Sequence, residues 1–468
     1  MIDSHPQFAV VGHPNKGKSS IVSALALDDS VHISDVPGTT TKQRSFPLKV
    51  DGVILYELLD TPGFQRARRV LAWLQKHEVS ADKRQDIVQK FINVHQFDPK
   101  FNDEIQLLTP VMAGAGIIYV VDASKPYGEE YEAEMEILRW TGQPSMALLN
   151  HIEDTDYSVQ WKRALGQYFK MVRTFNPMKT DRLQHISILE SMSQLKEEWI
   201  APVKKSIVLF ERYQKQMIHQ SASKISRLLE ESLGLIEKRS CDSDKVEEKD
   251  KEAVEIQYKS HLRLLEKETQ KKIEKIWNHA SVKKEQALLT FDELDLFSEE
   301  SAAVFGLTRK ELMITGVTSG AMTGAGIDLV FAGHTLLLGG IIGAVVGGTG
   351  AYFGFKELSE IKVLGQRVGT YSVQIGPMKN KNFPYILLGR AIFHAYHIAT
   401  RSHAIRDIED LSMDSTLKEQ WLTDTLRKSL ESSHKIFRSG DTIGVEVGES
   451  YTLLVEDILE KLIQRIEE

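Results

Sequence analysis

Residues Gly12 to Ser19 read Gly-His-Pro-Asn-Lys-Gly-Lys-Ser and follow directly on the apolar run Phe8-Ala-Val-Val11. An apolar strand that breaks into G-x-x-x-x-G-K-[ST] and continues as a helix leaves few folds open. It aims successive backbone N–H groups and a helix N-terminus at one point, and the ligand drawn to such a point is a polyphosphate. Gly12, His13, Pro14, Asn15, Lys16 and Gly17 form the cradle. Lys18 is placed to reach the β- and γ-phosphates and Ser19 to hold Mg²⁺, with Ser20 opening the helix. Ile21, Val22 and Leu25 continue at helical spacing, with no breaker before Leu27.

Two further stretches complete this chemistry. Val36 to Arg44 is a polar segment with three adjacent threonines, standing where a switch loop belongs. A threonine hydroxyl there completes Mg²⁺ coordination while the γ-phosphate is present and lets go after hydrolysis. Thr40 is the first choice, with Thr39 and Thr41 as rivals. A hairpin follows, from Phe46 to Val50 and from Val53 to Leu59, turned by Asp51-Gly52. Its second strand ends in Asp60-Thr-Pro-Gly63. Asp60 is placed to bind Mg²⁺ through water, and the Gly63 N–H to touch the γ-phosphate.

Together these stretches resemble the Era/TrmE-like GTPases of the translation-factor-related class. The G-x-P-N-x-G-K-S, P-G-T-T and D-T-P-G motifs of that family stand here as Gly12 to Ser19, Pro37 to Thr40 and Asp60 to Gly63. The resemblance implies an α/β P-loop GTPase domain with a doubly wound, mostly parallel sheet, binding GTP or GDP. It implies Lys18, Thr40 and Gly63 as catalytic residues, Ser19, Thr40 and Asp60 as the Mg²⁺ site, and K⁺ as a further cofactor held with the help of Asn15. Phe64 stands where Ras-like proteins carry the glutamine that positions the attacking water. Gln65, Arg66, Arg68, Arg69 or a partner's residue are left for that task, and slow intrinsic turnover is expected.

The parallel sheet continues with Gly116 to Val121, an acidic helix from Glu129 to Trp140, and the core strand Ser145 to Leu149. Asn150-His-Ile-Glu153 then stands in place of Asn-Lys-x-Asp, whose carboxylate reads the guanine edge. Either Glu153, with its longer arm, or Asp154, after a shifted turn, can take that role, so guanine preference is implied by the family alone. The last base-contact loop, usually Ser-Ala-Lys, is replaced by Thr174-Phe-Asn176. These departures, with Trp161 and Val172 to Asn176, look like one bacterial subgroup that joins an Era-like GTPase to a C-terminal domain of unknown function.

Four segments are expected. Residues 1–200 form the G domain, with a helical insertion at about 64–110 that serves as lid, partner-binding element or plain decoration. Residues 201–310 form a stalk of two long amphipathic helices, Val203 to Glu237 and about Val246 to Leu289, joined by a polar break at Ser240 to Asp244. Residues 311–356 carry glycines at Gly316, Gly320 and Gly324 and again at Gly339, Gly343 and Gly347, a pattern that packs helices closely in an apolar hairpin. Residues 357–468 are mainly helical, with a strand at Gly369 to Ile375. The stretch 312–355 either enters the inner membrane or packs inside a soluble domain.

With 468 residues, a net charge of −7 and a pI near 6.1, the chain offers no electrostatic reason to bind nucleic acid, and none is expected as a partner. One cysteine excludes an internal disulfide framework. Met1 to Gln7 lacks the basic and apolar segments of a signal peptide, so a cytoplasmic location is expected, at the inner membrane's cytoplasmic face if the hairpin inserts. The function expected is that of a GTP-dependent molecular switch, with a homodimer or a separate protein as partner. The alternatives are a scaffold that binds GTP with negligible hydrolysis, a ribosome- or RNA-associated Era-like factor, and a dynamin-like membrane remodeller.

Overall fold

Strand β1 (Gln7–Val11) is buried on both faces, with Ala9 and Val11 entering one core and Phe8 and Val10 the other. That is the two-residue period of a strand covered by helices on both sides. Its parallel neighbour β4 (Gly116–Asp122) repeats the division, sending Ile117, Tyr119 and Val121 one way and Ile118 and Val120 the other. With β2 (Arg44–Val50), β3 (Val53–Asp60), β5 (Ser145–Asn150) and β6 (Met171–Thr174) they form a six-stranded sheet in the order β2-β3-β1-β4-β5-β6. Every pairing is parallel except β2 with β3. Pro47, which cannot donate to a ladder, is accommodated because β2 is an edge strand.

The structure is a computed structural model and describes residues 5–27, 44–50, 52–77, 79–153, 155–178, 182–241, 246–279, 295–298, 301, 305, 358–365, 371–401, 422–439 and 445–464. The chain divides into two compact units, one built on Met1–Gln216 and the other on Met217–Ala399 with Asp407–Arg465.

In the first unit, one face of the sheet is covered by α1 (Lys18–Ala26), α7 (Arg182–Ser193) and the start of α8 (Glu197–Gly234). Trp199 of α8 stands edge-on to Phe8, ring centroids 4.9 Å apart, and a Cβ on Gly116 would lie 2.6 Å from it. The other face is covered by α2 (Ala67–Gln75), α3 (Arg84–His95), α4 (Asn102–Met112), α5 (Glu130–Trp140) and α6 (Ser158–Leu165). Val70, Leu74, Val88, Phe91, Ile92, Leu107, Leu108 and Val111 all enter this core, so α2, α3 and α4 are one wall of the domain.

The second half differs from expectation at its element boundaries. Helix α8 begins at Glu197, ahead of Pro202, which lies inside the helix and gives up one i→i−4 bond there. Between the expected first helix and the polar break stands a strand, β7 (Glu237–Ser240), which pairs with β9 (Tyr371–Ile375), itself paired with β8 (Ile361–Gly365) in a sheet ordered β7-β9-β8. Helix α9 (Glu248–Ile276) stops well short of Leu289, because Asn278 adopts a left-handed backbone with φ 59°. Among the described residues this unit also holds the helices α10 (Phe383–Thr400), α11 (Asp424–Ser439) and α12 (Val445–Gln464). The glycine-repeat stretch 312–355 lies outside the described residues. Among the described residues no helix is long and apolar enough to cross a membrane.

Candidate functional site

The loop after β1 is shaped by contacts that only its own residues tolerate. Gly12 has φ 143° and lies so close to β4 that a Cβ would fall 2.4 Å from Val120 O. Gly17 has φ 83°, and its Cβ would fall 2.2 Å from Asn150 Nδ2. Asn15 also adopts a positive φ, 58°, which asparagine accepts more readily than most residues. The loop then runs straight into α1, which begins at Lys18 with Gly17 as its N-cap. Its amides and helix N-terminus are thus arranged as an anion cradle.

Lys18 is buried, and its Nζ donates to Gly12 O at 3.2 Å and to His13 O at 3.0 Å. Burial lowers its pKa, while the nearby Asp60 and Glu134 carboxylates act the other way. Ser19 and Asp60, 41 residues apart in sequence, meet directly: Ser19 Oγ donates to Asp60 Oδ2 at 3.1 Å. A hydroxyl and a buried carboxylate converging beside a phosphate cradle form a hard oxygen donor set, which suits Mg²⁺. Thr40, expected as the third member, lies outside the described residues.

Gly63 abuts the phosphate loop from the other side, since a Cβ there would lie 2.8 Å from Pro14 N and 3.0 Å from Gly12 O. The hydroxyl of Thr61 donates to Val10 O at 2.8 Å and fixes the segment to β1. Phe64, only 1% exposed, is packed in the core with Val70 and Leu74. Gln65, Arg66, Arg68 and Arg69 are exposed, and Arg66 Nη1 donates to Lys100 O at 2.7 Å.

At the base end, Asn150 Nδ2 donates to Lys16 O at 3.1 Å, which joins the base loop to the phosphate loop. Glu153 is ion-paired with Lys125, and that bond raises the Lys125 pKa. Asp154 lies outside the described residues. His151 Nε2 is 2.9 Å from Ser158 Oγ and 3.2 Å from Asp156 Oδ1. Hydrogen bonds from the Ser158 hydroxyl and N–H, then from His151, bring Asp156 down to about 2. Asn176 Oδ1 accepts from Met178 N at 2.9 Å, and Phe175 N donates to Leu149 O at 3.0 Å, which keeps this loop beside the end of β5.

Two buried acids were missed in the sequence. Glu134 Oε1 lies 2.8 Å from His13 Nδ1, and its Oε2 accepts from Tyr119 Oη at 2.9 Å, so α5 and β4 brace the loop from behind. Glu104, fully buried in α4, accepts from Gln65 N at 2.9 Å and also from Arg66 N. A signal for both existed. Each acid falls at a core-facing helical position, Glu104 with Leu107, Leu108 and Val111, and Glu134 with Tyr131, Met135 and Leu138.

A mostly parallel sheet, a phosphate cradle, a Ser–Asp metal pair and an asparagine joining base loop to cradle define a P-loop GTPase domain, here followed by a helical C-terminal region. Comparisons with known proteins agree: the family described as 50S ribosome-binding GTPase (MMR_HSR1) matches residues 7–151, and the domain of unknown function DUF3482 matches residues 162–448. The second match covers more than half of the chain, which therefore belongs to the DUF3482 family.

Similar curated proteins include GTPase Der of Agathobacter rectalis, 38% identical over 90 residues, covering 18% of this chain and 20% of that protein. GTPase Der of Aromatoleum aromaticum is 25% identical over 228 residues, covering 49% and 43%. The chain thus spans less than half the length of these relatives. Among solved structures, an Era variant of Aquifex aeolicus bound to GDP.AlF4- aligns over 58% of this chain and 88% of that one, at 14% identity and TM-score 0.27. Era in complex with MgGDPNP and 16S ribosomal RNA nucleotides aligns at 13% identity and TM-score 0.28, over 58% and 89%. Over its N-terminal part the chain is thus similar to the MMR_HSR1 GTPases and to GTPase Der.

Proposed function

We propose that this protein binds GTP and GDP with Mg²⁺ and hydrolyses GTP slowly, as a switch whose two states are read by a separate partner. The observation that carries this is the meeting of Ser19 Oγ and Asp60 Oδ2 at 3.1 Å beside Lys18, with Gly63 pressed against the same loop. Ser19 and Asp60 would hold the ion, and bound Mg²⁺ supplies charge neutralisation for the β- and γ-phosphates. Lys18 and the loop amides stabilise charge on the phosphoryl oxygens, and the Gly63 N–H faces the γ-position.

Slow turnover follows from Phe64. Its side chain is in the core, so position 64 offers no group to orient the attacking water. Guanine preference rests on the Asn150 contact and the family match, with Glu153 as the base acceptor once released from Lys125. Titration of labelled GTP, GDP, ATP and XTP is the direct test, and equal affinity for ATP would remove the guanine assignment. Single-turnover hydrolysis separates the switch from a non-hydrolysing scaffold, which predicts no difference between wild type and Lys18→Ala. A role for K⁺ at Asn15 predicts faster turnover in K⁺ than in Na⁺ buffer.

A further inference from the structure

The buried carboxyl of Glu104 has no place in the phosphate or metal chemistry, yet it grips the chain two residues beyond Gly63. One oxygen, Oε1, accepts both the Gln65 and the Arg66 backbone N–H. The other, Oε2, is buried with no hydrogen-bond partner among the described residues. A buried carboxyl oxygen without a partner is costly, so a fold seeking stability alone would place an apolar residue or a fully paired amide here. The open oxygen also leaves Glu104 able to take another donor if the segment moves.

The segment is short and has little slack. Gly63 touches Pro14 and Gly12 of the phosphate loop, Phe64 is locked in the core, and Arg66 O accepts the first bonds of α2 from Arg69 N at 2.9 Å and Val70 N at 3.1 Å. Glu104 belongs to the first turn of α4. Arg66 Nη1 adds a second tie, to Lys100 O just ahead of α4. A displacement of Gly63 by a γ-phosphate must therefore be absorbed within three residues or passed to α4. The packed core around Phe64 resists gradual deformation, which favours passing it on.

We propose that Glu104 is a positioning residue that couples the phosphate site, sensed at Gly63, to helix α4 and through it to the helical insertion. This rests on the nucleotide reading above and adds the route by which the nucleotide state leaves the site.

The test is hydrogen–deuterium exchange on the full chain, comparing wild type, Glu104→Gln and Glu104→Ala, each with GDP and with the non-hydrolysable analogue GDPNP. In wild type, GDPNP is expected to slow exchange at least threefold relative to GDP in peptides covering 64–66 and 102–112. Glu104→Gln keeps an acceptor oxygen and should preserve both responses, which also guards against a variant that merely fails to fold. In Glu104→Ala the response of 102–112 should vanish while the phosphate-loop peptide 12–19 still responds as in wild type. An α4 response that survives in Glu104→Ala, or is absent in wild type although 12–19 responds, overturns the coupling. A wild-type 12–19 peptide indifferent to every nucleotide removes the nucleotide reading instead, and the coupling with it.

Discussion

Gly17 and Asn150 are packed so closely that a single added carbon on the glycine would lie 2.2 Å from the asparagine's Nδ2. The same amide donates to Lys16 O, so the phosphate loop and the base loop share one joint. Gly17→Ala combines that collision with an unfavourable φ of 83° and should weaken GDP binding at least 100-fold, while far-UV circular dichroism stays unchanged. Asn150→Ala removes one bond worth about 1–1.5 kcal/mol, so a loss of roughly tenfold is expected. Fluorescence titration of both variants checks the pair, and a Gly17→Ala chain that binds normally would refute the packing.

Ser19 and Asp60 are expected to act on Mg²⁺ as a unit. Each of Ser19→Ala and Asp60→Asn should reduce the Mg²⁺ dependence of nucleotide affinity by about 10-fold or more, and the double variant should lose clearly less than the product of the two. Affinities measured with Mg²⁺ and with EDTA give the cycle. Strict additivity would mean that the 3.1 Å contact between them does not mark one ion site.

The Lys18 ammonium makes binding sensitive to pH. In the free protein burial holds its pKa below the ordinary lysine value. A bound polyphosphate adds negative charge and raises it again. Protons are therefore taken up on binding between the two pKa values, and affinity falls as pH rises through the lower one. Calorimetry at alkaline pH in two buffers of different ionisation enthalpy should report that uptake. Its absence, or its persistence in Lys18→Met, would count against Lys18 as the group responsible.

The distance over which each feature is specified decided what could be read from sequence. The phosphate cradle, the hairpin turned at Asp51-Gly52 and the strand ending at Asn150 are local, and the structure places Gly12 to Ser19, Asp60, Gly63 and Asn150 together. The strand β7 is Glu-Lys-Arg-Ser, a sequence without strand propensity, and it exists because β9 pairs with it from more than 130 residues away. Glu104 acts on amides 38 and 39 residues earlier in the chain. Its only sequence trace is an acid within an apolar stripe, easily taken for ordinary helix surface.

Phe64 invites a substitution that should fail. Restoring a glutamine at this position, Phe64→Gln, puts a polar side chain among Val70, Leu74 and Phe91 rather than beside the phosphates. Destabilisation of about 3–5 kcal/mol is expected, as for loss of a buried aromatic, with no gain in single-turnover rate. Urea unfolding and hydrolysis measured on the same sample decide it. A faster, equally stable variant would show that position 64 faces the nucleotide after all.

In the second unit the interaction most exposed to mutation is the buried ion pair between Arg390 of α10 and Glu266 of α9, whose side chains are 2% and 8% exposed. Arg390 Nη1 also donates to Ser301 Oγ at 3.0 Å. Removing the guanidinium takes from the buried Glu266 carboxylate the cation that faces it, so Arg390→Met should cost about 3–5 kcal/mol. Replacing both, as Arg390→Met with Glu266→Leu, removes the buried carboxylate as well and should recover most of that loss, because the pair's own attraction is largely cancelled by the cost of burying it. The midpoint of urea unfolding gives the sign. If the double variant is no more stable than Arg390→Met alone, the loss lies in the shape and stem packing of the arginine rather than in an uncompensated carboxylate, and a cation at 390 is then needed for how α10 seats on α9.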